Sequence, residues 1–345
     1  MTAILGLLNP HAQGGRLRHR APALRQALTA HAPAACWGMP ETVDEAQALI
    51  RQLPAASRVV ALGGDGTVNR WLPALLEGGH TLGLVPLGSG NDLARALGVH
   101  GLSCAEALAH ALTAPASAMD VGMVELQEPR NSRAGGACGL PSAQGIQHPA
   151  DPPASGSDGS GGSVCGLVPF LSSLATGFDA SVGLRALQGP RWLRGQPRYL
   201  WATLKELVQL RSWNLDIRGE QIEAGGEEGT HWQGRMLLAS TLNTRTYGSG
   251  MPAAPDARID DGRLDLLRAQ AMGRAGVLTL LPRLLRGTHL GDPRVALQTV
   301  HALQVRAEDP VPLAVDGEYL GAFSRFAVRV LPGSLQVVTA TMRMT

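Results

Sequence analysis

Residues 59–69 read Val-Val-Ala-Leu-Gly-Gly-Asp-Gly-Thr-Val-Asn, an apolar strand running straight into a glycine-rich turn with one acid and one hydroxyl. Gly63, Gly64 and Gly66 put no Cβ between backbone and ligand, so peptide N–H groups can close on phosphate oxygens. Val68, Trp71, Leu72, Leu75 and Leu76 follow at helical spacing, so a helix begins within or just after the turn. Its N-terminus adds partial positive charge where a phosphate would sit. An ordinary strand–helix turn would use the glycines but has no need of Asp65 and Thr67.

Outward from this turn, the first 125 or so residues alternate strand and helix. Strands are expected at Ile4–Leu8, Val59–Leu62, Leu82–Val85 and Met119–Val124, with helices at Ala21–His31, Val43–Leu53, Val68–Leu76, Asp92–Leu97 and Ala105–Leu112. Such βαβ alternation predicts a doubly wound, Rossmann-like α/β domain with a mostly parallel sheet, and ligands there bind beyond the carboxyl ends of the strands. Pro129–Ser163 is crowded with Gly, Ala, Ser and Pro and reads as a disordered insertion. After it come short β-rich runs: Val168–Leu174, Leu215–Arg218, Met236–Thr241, Leu264–Ala269, Leu303–Arg306, Leu313–Val315, Phe326–Leu331 and Leu335–Thr339. Helices are expected among them only at Tyr199–Gln209 and Val277–Leu285. The expected plan is an α/β domain over 1–128, the insertion over 129–163, and an antiparallel β-sandwich over 164–345. A cleft separates the two domains, and the last strand is free to rejoin the first domain.

Composition narrows the function classes. At 345 residues with 44% hydrophobic and 17% charged side chains, the chain suits two globular domains. A net charge of +2 gives no footprint for nucleic acid, and no apolar run reaches transmembrane length. Met1–Asn9 reads as a first strand, not a signal peptide. Cys36, Cys104, Cys138 and Cys165 lack metal-ligand spacing and are expected as free thiols in a reducing cytoplasm. Lys205 is the only lysine, so neither a P-loop nor a protein-kinase lysine is available.

Further motifs complete the pattern. Asn9-Pro-His-Ala-Gln-Gly-Gly15 follows the first strand and Pro86-Leu-Gly-Ser-Gly-Asn-Asp-Leu-Ala-Arg95 follows another; Pro255–Asp265 and Val315-Asp-Gly-Glu318 come far downstream. In this order, and together with Gly63–Asn69, they resemble the bacterial diacylglycerol kinase and lipid kinase family, which is similar in turn to sphingosine and ceramide kinases. The resemblance spans nearly the whole chain except the insertion. The Gly-Gly-Asp-Gly-Thr turn is shared with NAD kinases; the Pro-x-Gly-Ser-Gly-Asn-Asp run and the late Asp-Gly-Glu are far more specific.

The resemblance implies ATP over Gly63, Gly64, Asp65, Gly66, Thr67, Val68 and Asn69, with Thr67 as hydroxyl donor. It implies a second phosphate loop at Gly88, Ser89, Gly90 and Asn91, with Ser89 where many members carry threonine. Asn9, Pro10, Gly14 and Gly15 would close the site from the side, and Thr42 is the nearest match to an early nucleotide-contacting threonine. Mg²⁺ is implied in an acid–water–metal network of Asp65, Asp92 and Asp120. A second, structural Mg²⁺ would use Asp261 with carbonyls of Arg258 and Arg263, although Asp260-Asp261-Gly262 also reads as a hairpin turn. Glu318 is implied as the general base on a lipid hydroxyl, with Asp65 beside it as a catalytic acid residue; an exposed hairpin glutamate is the plain alternative.

One departure stands out: Arg70 occupies a position where the family usually has glutamate. Arg191–Trp201 mixes arginine with aromatics before an amphipathic helix, which suits either lipid headgroups or a core-facing helix with a solvated basic side. The function expected is therefore a cytoplasmic kinase, peripheral to the membrane, that phosphorylates a lipid, diacylglycerol first, using ATP and Mg²⁺. A homodimer is compatible with this reading. The rivals are an NAD kinase acting on a soluble dinucleotide and a catalytically silent nucleotide- or lipid-binding regulator.

Overall fold

The computed structural model describes residues 3–127, 164–190, 192–193, 195–223 and 226–340; the expected insertion, Cys138, Arg191 and Arg194 lie outside the described residues. Strands β1 (Ile4–Leu8), β2 (Cys36–Gly38), β3 (Arg58–Gly63) and β4 (Thr81–Pro86) pair in parallel in the spatial order β4-β3-β1-β2. Alternation along β3 explains the two covered faces. Val59 and Ala61 join a core with Ile50, Val68, Leu72 and Leu75, from helices α2 (Val43–Arg51) and α3 (Asp65–Glu77) being on that side. Val60 and Leu62 face the opposite way, into a core with Leu24 and Leu28 of α1 (Ala21–His31). A short α4 (Asp92–Ala96) follows β4, and α5 (Cys104–Thr113), started by a Ser103–Glu106 capping box, joins the second face.

The second lobe is built from β5 (Ala116–Gln127), β6 (Val164–Phe170), β7 (Ser173–Thr176), α6 (Phe178–Leu187), α7 (Gln196–Glu206), β8 (Trp213–Glu223), β9 (Gly226–Leu242), β10 (Leu264–Gln270), α8 (Arg274–Leu285), β11 (Val295–Val300), β12 (Ala302–Val315) and β13 (Glu318–Val338). Its strands curl in a sandwich-like arrangement around Phe170, Ile217, Leu266, Val305, Val311 and Phe326. Helices α6, α7 and α8 share a separate core with Leu237, Leu242 and Leu267. The last strand does rejoin the first lobe: Gln336 and Val337 of β13 pair in parallel with Thr81 and Leu82 of β4. A continuous sheet of 13 strands among the described residues therefore runs through both lobes.

Several elements differ from the expected ones. The run Val168–Leu174 is broken into β6 and β7, because the backbone at Leu171–Ser173 turns its N–H groups onto Asp316. Helix α6 was not anticipated, although Phe178, Val182 and Ala186 are buried at i, i+4 and i+8. The β2 edge strand, three residues long, is too short for any period to show. Conversely, the runs on either side of Pro310 and Pro312, and those on either side of Pro332-Gly333, belong to single strands. Pro310 and Pro332-Gly333 sit at register shifts in the ladder, where a missing N–H is tolerated, while Pro312 stands in register opposite Ala322.

Candidate active site

Register brings the early loops together. Leu8 stands opposite Leu62 and Gly63 opposite Pro86, so the segments that leave β1, β3 and β4 lie side by side at one edge. Helix α3 starts at Asp65 with Gly64 as its N-cap, and its first-turn N–H groups open toward those loops. The Thr67 hydroxyl accepts from Asn9 Nδ2 at 2.8 Å, which leaves its own proton free to donate. Asn91, in the left-handed region at φ 57°, grips Gly88 from both sides: its Oδ1 accepts the Gly88 N–H and its Nδ2 donates to the Gly88 carbonyl, each at 3.1 Å. Asn91 thus shapes the second loop with its side chain, while Ser89 stands exposed on it. Val68 is buried in the core, so it meets the site only through its backbone. Thr42 caps α2 by accepting the Glu45 N–H at 3.1 Å.

The two loops touch through glycine alone. A Cβ on Gly64 would stand 2.7 Å from the Gly88 Cα, a backbone atom that cannot swing aside. Gly64→Ala should therefore push the loops apart, at a cost of about 1–3 kcal/mol of strain. We expect a clear loss of nucleotide affinity in calorimetric titration with far less effect on secondary structure; unchanged affinity would mean the loops do not act as one cradle.

The acids divide into two groups. Asp65 accepts the N–H groups of Asp92 (2.9 Å) and Leu93 (3.2 Å), and burial, reinforced by the neighbouring Asp92 carboxylate, pushes its pKa up to about 6. Asp92 accepts from the Ser249 N–H (2.8 Å), the Gly250 N–H (2.7 Å) and the Thr246 hydroxyl (3.0 Å), and burial raises its pKa as well. Asp120 does not join them. It bridges the Gly262 N–H (2.6 Å) and the Gly333 N–H (2.7 Å), beside the loop that carries Asp261. In that loop Asp261 accepts the Arg263 N–H at 3.0 Å and the Arg258 guanidinium reaches Asp260 at 3.3 Å. Among the described residues no three His, Cys, Asp or Glu side chains form a ready metal cage. Asp65 and Asp92 nevertheless fit a hard divalent cation: they are two carboxylates facing the cleft, one buried and one half-buried, whose mutual repulsion such a cation would relieve.

From the other lobe, the turn between β12 and β13 reaches into this site. Asp316 is half-buried and accepts the N–H groups of Leu171 (2.9 Å), Ser172 (2.7 Å) and Ser173 (3.0 Å). It also accepts Asn69 Nδ2 at 2.9 Å, and the same Asn69 amide donates to the Pro169 carbonyl at 3.2 Å. Asn69 is therefore a tie between lobes. Glu318 then lies over the start of α3: a Cβ on Gly66 would meet its Oε1 at 2.7 Å. Its Oε2 accepts from Arg70 Nη2 at 2.9 Å. The Arg70 side chain is 51% exposed, so the pair orients the carboxylate and contributes little stability.

Behind the acids a cleft runs from Asp65, Asp92 and Asp316 into an apolar recess lined by Phe178, Val182 and Leu284. Its wall holds groups that sequence reasoning passed over. Burial pushes Asp179 up to about 7 and the Tyr199 phenol up to about 12. The Thr246–Gly250 loop that holds Asp92 was also missed; its Gly-Ser-Gly run after a strand was the available signal.

Asp179 makes stability depend on pH. Its folded value of about 7 lies above the ordinary 3.8, so the native state keeps a proton that the unfolded chain has lost. Its contribution is full below the ordinary value and fades as pH rises to about 7. Asp179→Asn, which retains an acceptor for the Ala180 N–H, should therefore flatten the fall in Tm between acidic and mildly alkaline buffer. Parallel wild-type and variant curves in scanning calorimetry would refute this.

Comparison with known proteins agrees with this geometry. Residues 3–124 match the diacylglycerol kinase catalytic domain, and residues 172–339 match the YegS C-terminal NAD kinase beta sandwich-like domain. The chain is 29% identical over 284 residues to a diacylglycerol kinase of Mycobacterium tuberculosis, covering 81% of this chain and 76% of that one. It is 25% identical over 265 residues to a diacylglycerol kinase of Bacillus subtilis, covering 76% and 71%. A solved structure of a diacylglycerol kinase from Bacillus anthracis superposes with a TM-score of 0.62 at 16% identity, over 98% of this chain and 97% of that one, a likeness of fold.

Proposed function

The chain belongs to the bacterial lipid kinase family that joins a diacylglycerol kinase catalytic domain to a YegS-like C-terminal domain, and we propose that it transfers the γ-phosphoryl group of ATP to the hydroxyl of diacylglycerol, giving phosphatidate. The observation that carries this reading is the position of Glu318, delivered by the second lobe onto the N-terminus of α3 beside Gly66. A base from one lobe thereby faces the phosphate loops of the other.

In the proposed mechanism the N–H groups at Gly64–Gly66 and Ser89–Asn91, with the Thr67 hydroxyl, bind the phosphates of ATP. Asp65 and Asp92 would hold Mg²⁺, which when bound neutralises charge on the transferred phosphoryl group. Asp261, with the Arg258 and Arg263 carbonyls, is the candidate for a second and structural cation, and Asp120 braces its loop through Gly262. The lipid hydroxyl gives its proton to Glu318 as its oxygen bonds to the γ-phosphorus; the bond from that phosphorus to the bridging oxygen breaks and ADP leaves. The acyl chains occupy the apolar recess between α6 and α8. No helix among the described residues is long and apolar enough to cross a membrane.

The apolar recess argues against a soluble dinucleotide as acceptor, and the Arg70–Glu318 pair is the one feature that favours a silent regulator. The test is purified protein with radiolabelled ATP, Mg²⁺ and mixed micelles of diacylglycerol, phosphatidylglycerol or a sphingoid base, with NAD alongside. Labelled phosphatidate supports the proposal. Labelled NADP, or nucleotide binding without transfer to any acceptor, overturns it.

A further inference from the structure

Helices α7 and α8 each present two apolar faces, and only one of them is buried. On α7, Tyr199 and Thr203 line the cleft, while Leu200 and Leu204, one turn apart on another face, are exposed, followed by Val208 at 69% exposure. On α8, Val277, Leu280 and Leu284 line the cleft, and Leu278 and Leu285 point out of the core. The loop before α7 adds Trp192 at 80% exposure. These exposed groups are structurally joined. The Arg198 guanidinium ties that loop to α7 through the Gly189 and Pro190 carbonyls, each at 3.4 Å. Arg274, at the start of α8, donates to the Leu207 (2.8 Å) and Val208 (3.0 Å) carbonyls.

The charge on this rim is mostly positive. Residues 195–212 and 273–292 carry Arg198, Lys205, Arg211, Arg274, Arg283 and Arg286 against two carboxylates: Glu206, held by Arg185 at 2.5 Å, and Asp292, held by Arg294 at 2.7 Å and shared with Arg283 at 3.4 Å. Leucines and a tryptophan among cations, on helices whose inner faces form an apolar recess, have the chemistry of an interfacial membrane contact. We propose that the outer faces of α7 and α8, with the Trp192 loop, form the docking surface for an anionic bilayer, and that the enzyme seats its cleft directly over the membrane there. Resting on the lipid-kinase reading for its purpose, the surface itself is testable without any catalysis.

The probe is flotation of the full chain with phosphatidylcholine vesicles, with and without phosphatidylglycerol, in the absence of ATP. Wild type should float with the anionic vesicles, less so at high salt. The combined variant Trp192→Ser, Leu200→Ser, Leu204→Ser and Leu278→Ser should bind at least about tenfold more weakly. That variant should also lose activity on diacylglycerol embedded in vesicles but keep it on short-chain diacylglycerol in detergent micelles. Leu278→Asp alone is the second variant, should the first fold poorly by circular dichroism. Wild type that ignores anionic vesicles, or variants that float as well as wild type, overturn the proposal. So does a lipid-free wild-type dimer that these changes make monomeric, since the face would then meet a second copy. Failure to phosphorylate lipid in micelles would instead sink the functional reading and leave the flotation result standing.

Discussion

Glu318→Gln is expected to lower the rate of phosphoryl transfer by roughly 10²–10⁴-fold, the usual worth of a positioned general base. The change is nearly isosteric. A glutamine Oε1 can still accept from Arg70 Nη2, the contact that Glu318 makes at 2.9 Å, so the turn should keep its place over α3. ATP binding should persist, because the phosphate contacts come from the other lobe. The clean readout is single-turnover transfer from radiolabelled ATP to diacylglycerol, with nucleotide binding followed by calorimetry on the same preparation. Near wild-type transfer would show that the Glu318 carboxylate does not take the proton, whatever its position.

The second large effect concerns what holds that turn. Asp316 Oδ1 accepts from Ser172 and Ser173, and Oδ2 accepts from Leu171 and Asn69, donors that all belong to buried residues. Asp316→Ala would strand three backbone N–H groups and leave the Asn69 amide only its Pro169 carbonyl acceptor. At about 1–3 kcal/mol for each buried donor left unpaired, and with partial relaxation, a loss of about 3–6 kcal/mol is expected. Thermal unfolding should drop by roughly 10 °C. Asp316→Asn should be nearly as harmful, because its NH₂ would face the Leu171 and Asn69 donors. Pairing it with Asn69→Asp restores one complementary contact across the lobes, and a positive coupling in the double-mutant cycle would identify the tie. Additive effects would mean that Asn69 and Asp316 do not support one another.

Chain order and residue chemistry made much of this legible in advance. The Gly63–Asn69 turn, the Pro86–Arg95 loop and the alternating elements around them led directly to the parallel half-sheet and the loop-bearing edge beyond its strands. That edge depends on local features: glycine at a close approach, a strand ending and a helix beginning within a few residues. Local chemistry misled in places. The turn residues around Pro310 and Pro332 separate runs in the sequence, yet the ladder absorbs both at register shifts. Helix α6 was hidden because it is a short segment with Gly183 inside it.

The pairings across lobes were beyond any local reading. Asp120 is spaced along the chain like Asp65 and Asp92, yet the fold sends it to the Asp261 loop, since β5 runs the length of β13 and ends up beside Gly333. Arg70 is an anomaly in one dimension and the ion-pair partner of Glu318 in three. Spacing along the chain reports which groups can share a turn or a helix face. It carries no information on which of two distant acids will meet a given amide, because long-range sheet register and burial settle that, and here they bring residues 69 and 316 within a single hydrogen bond.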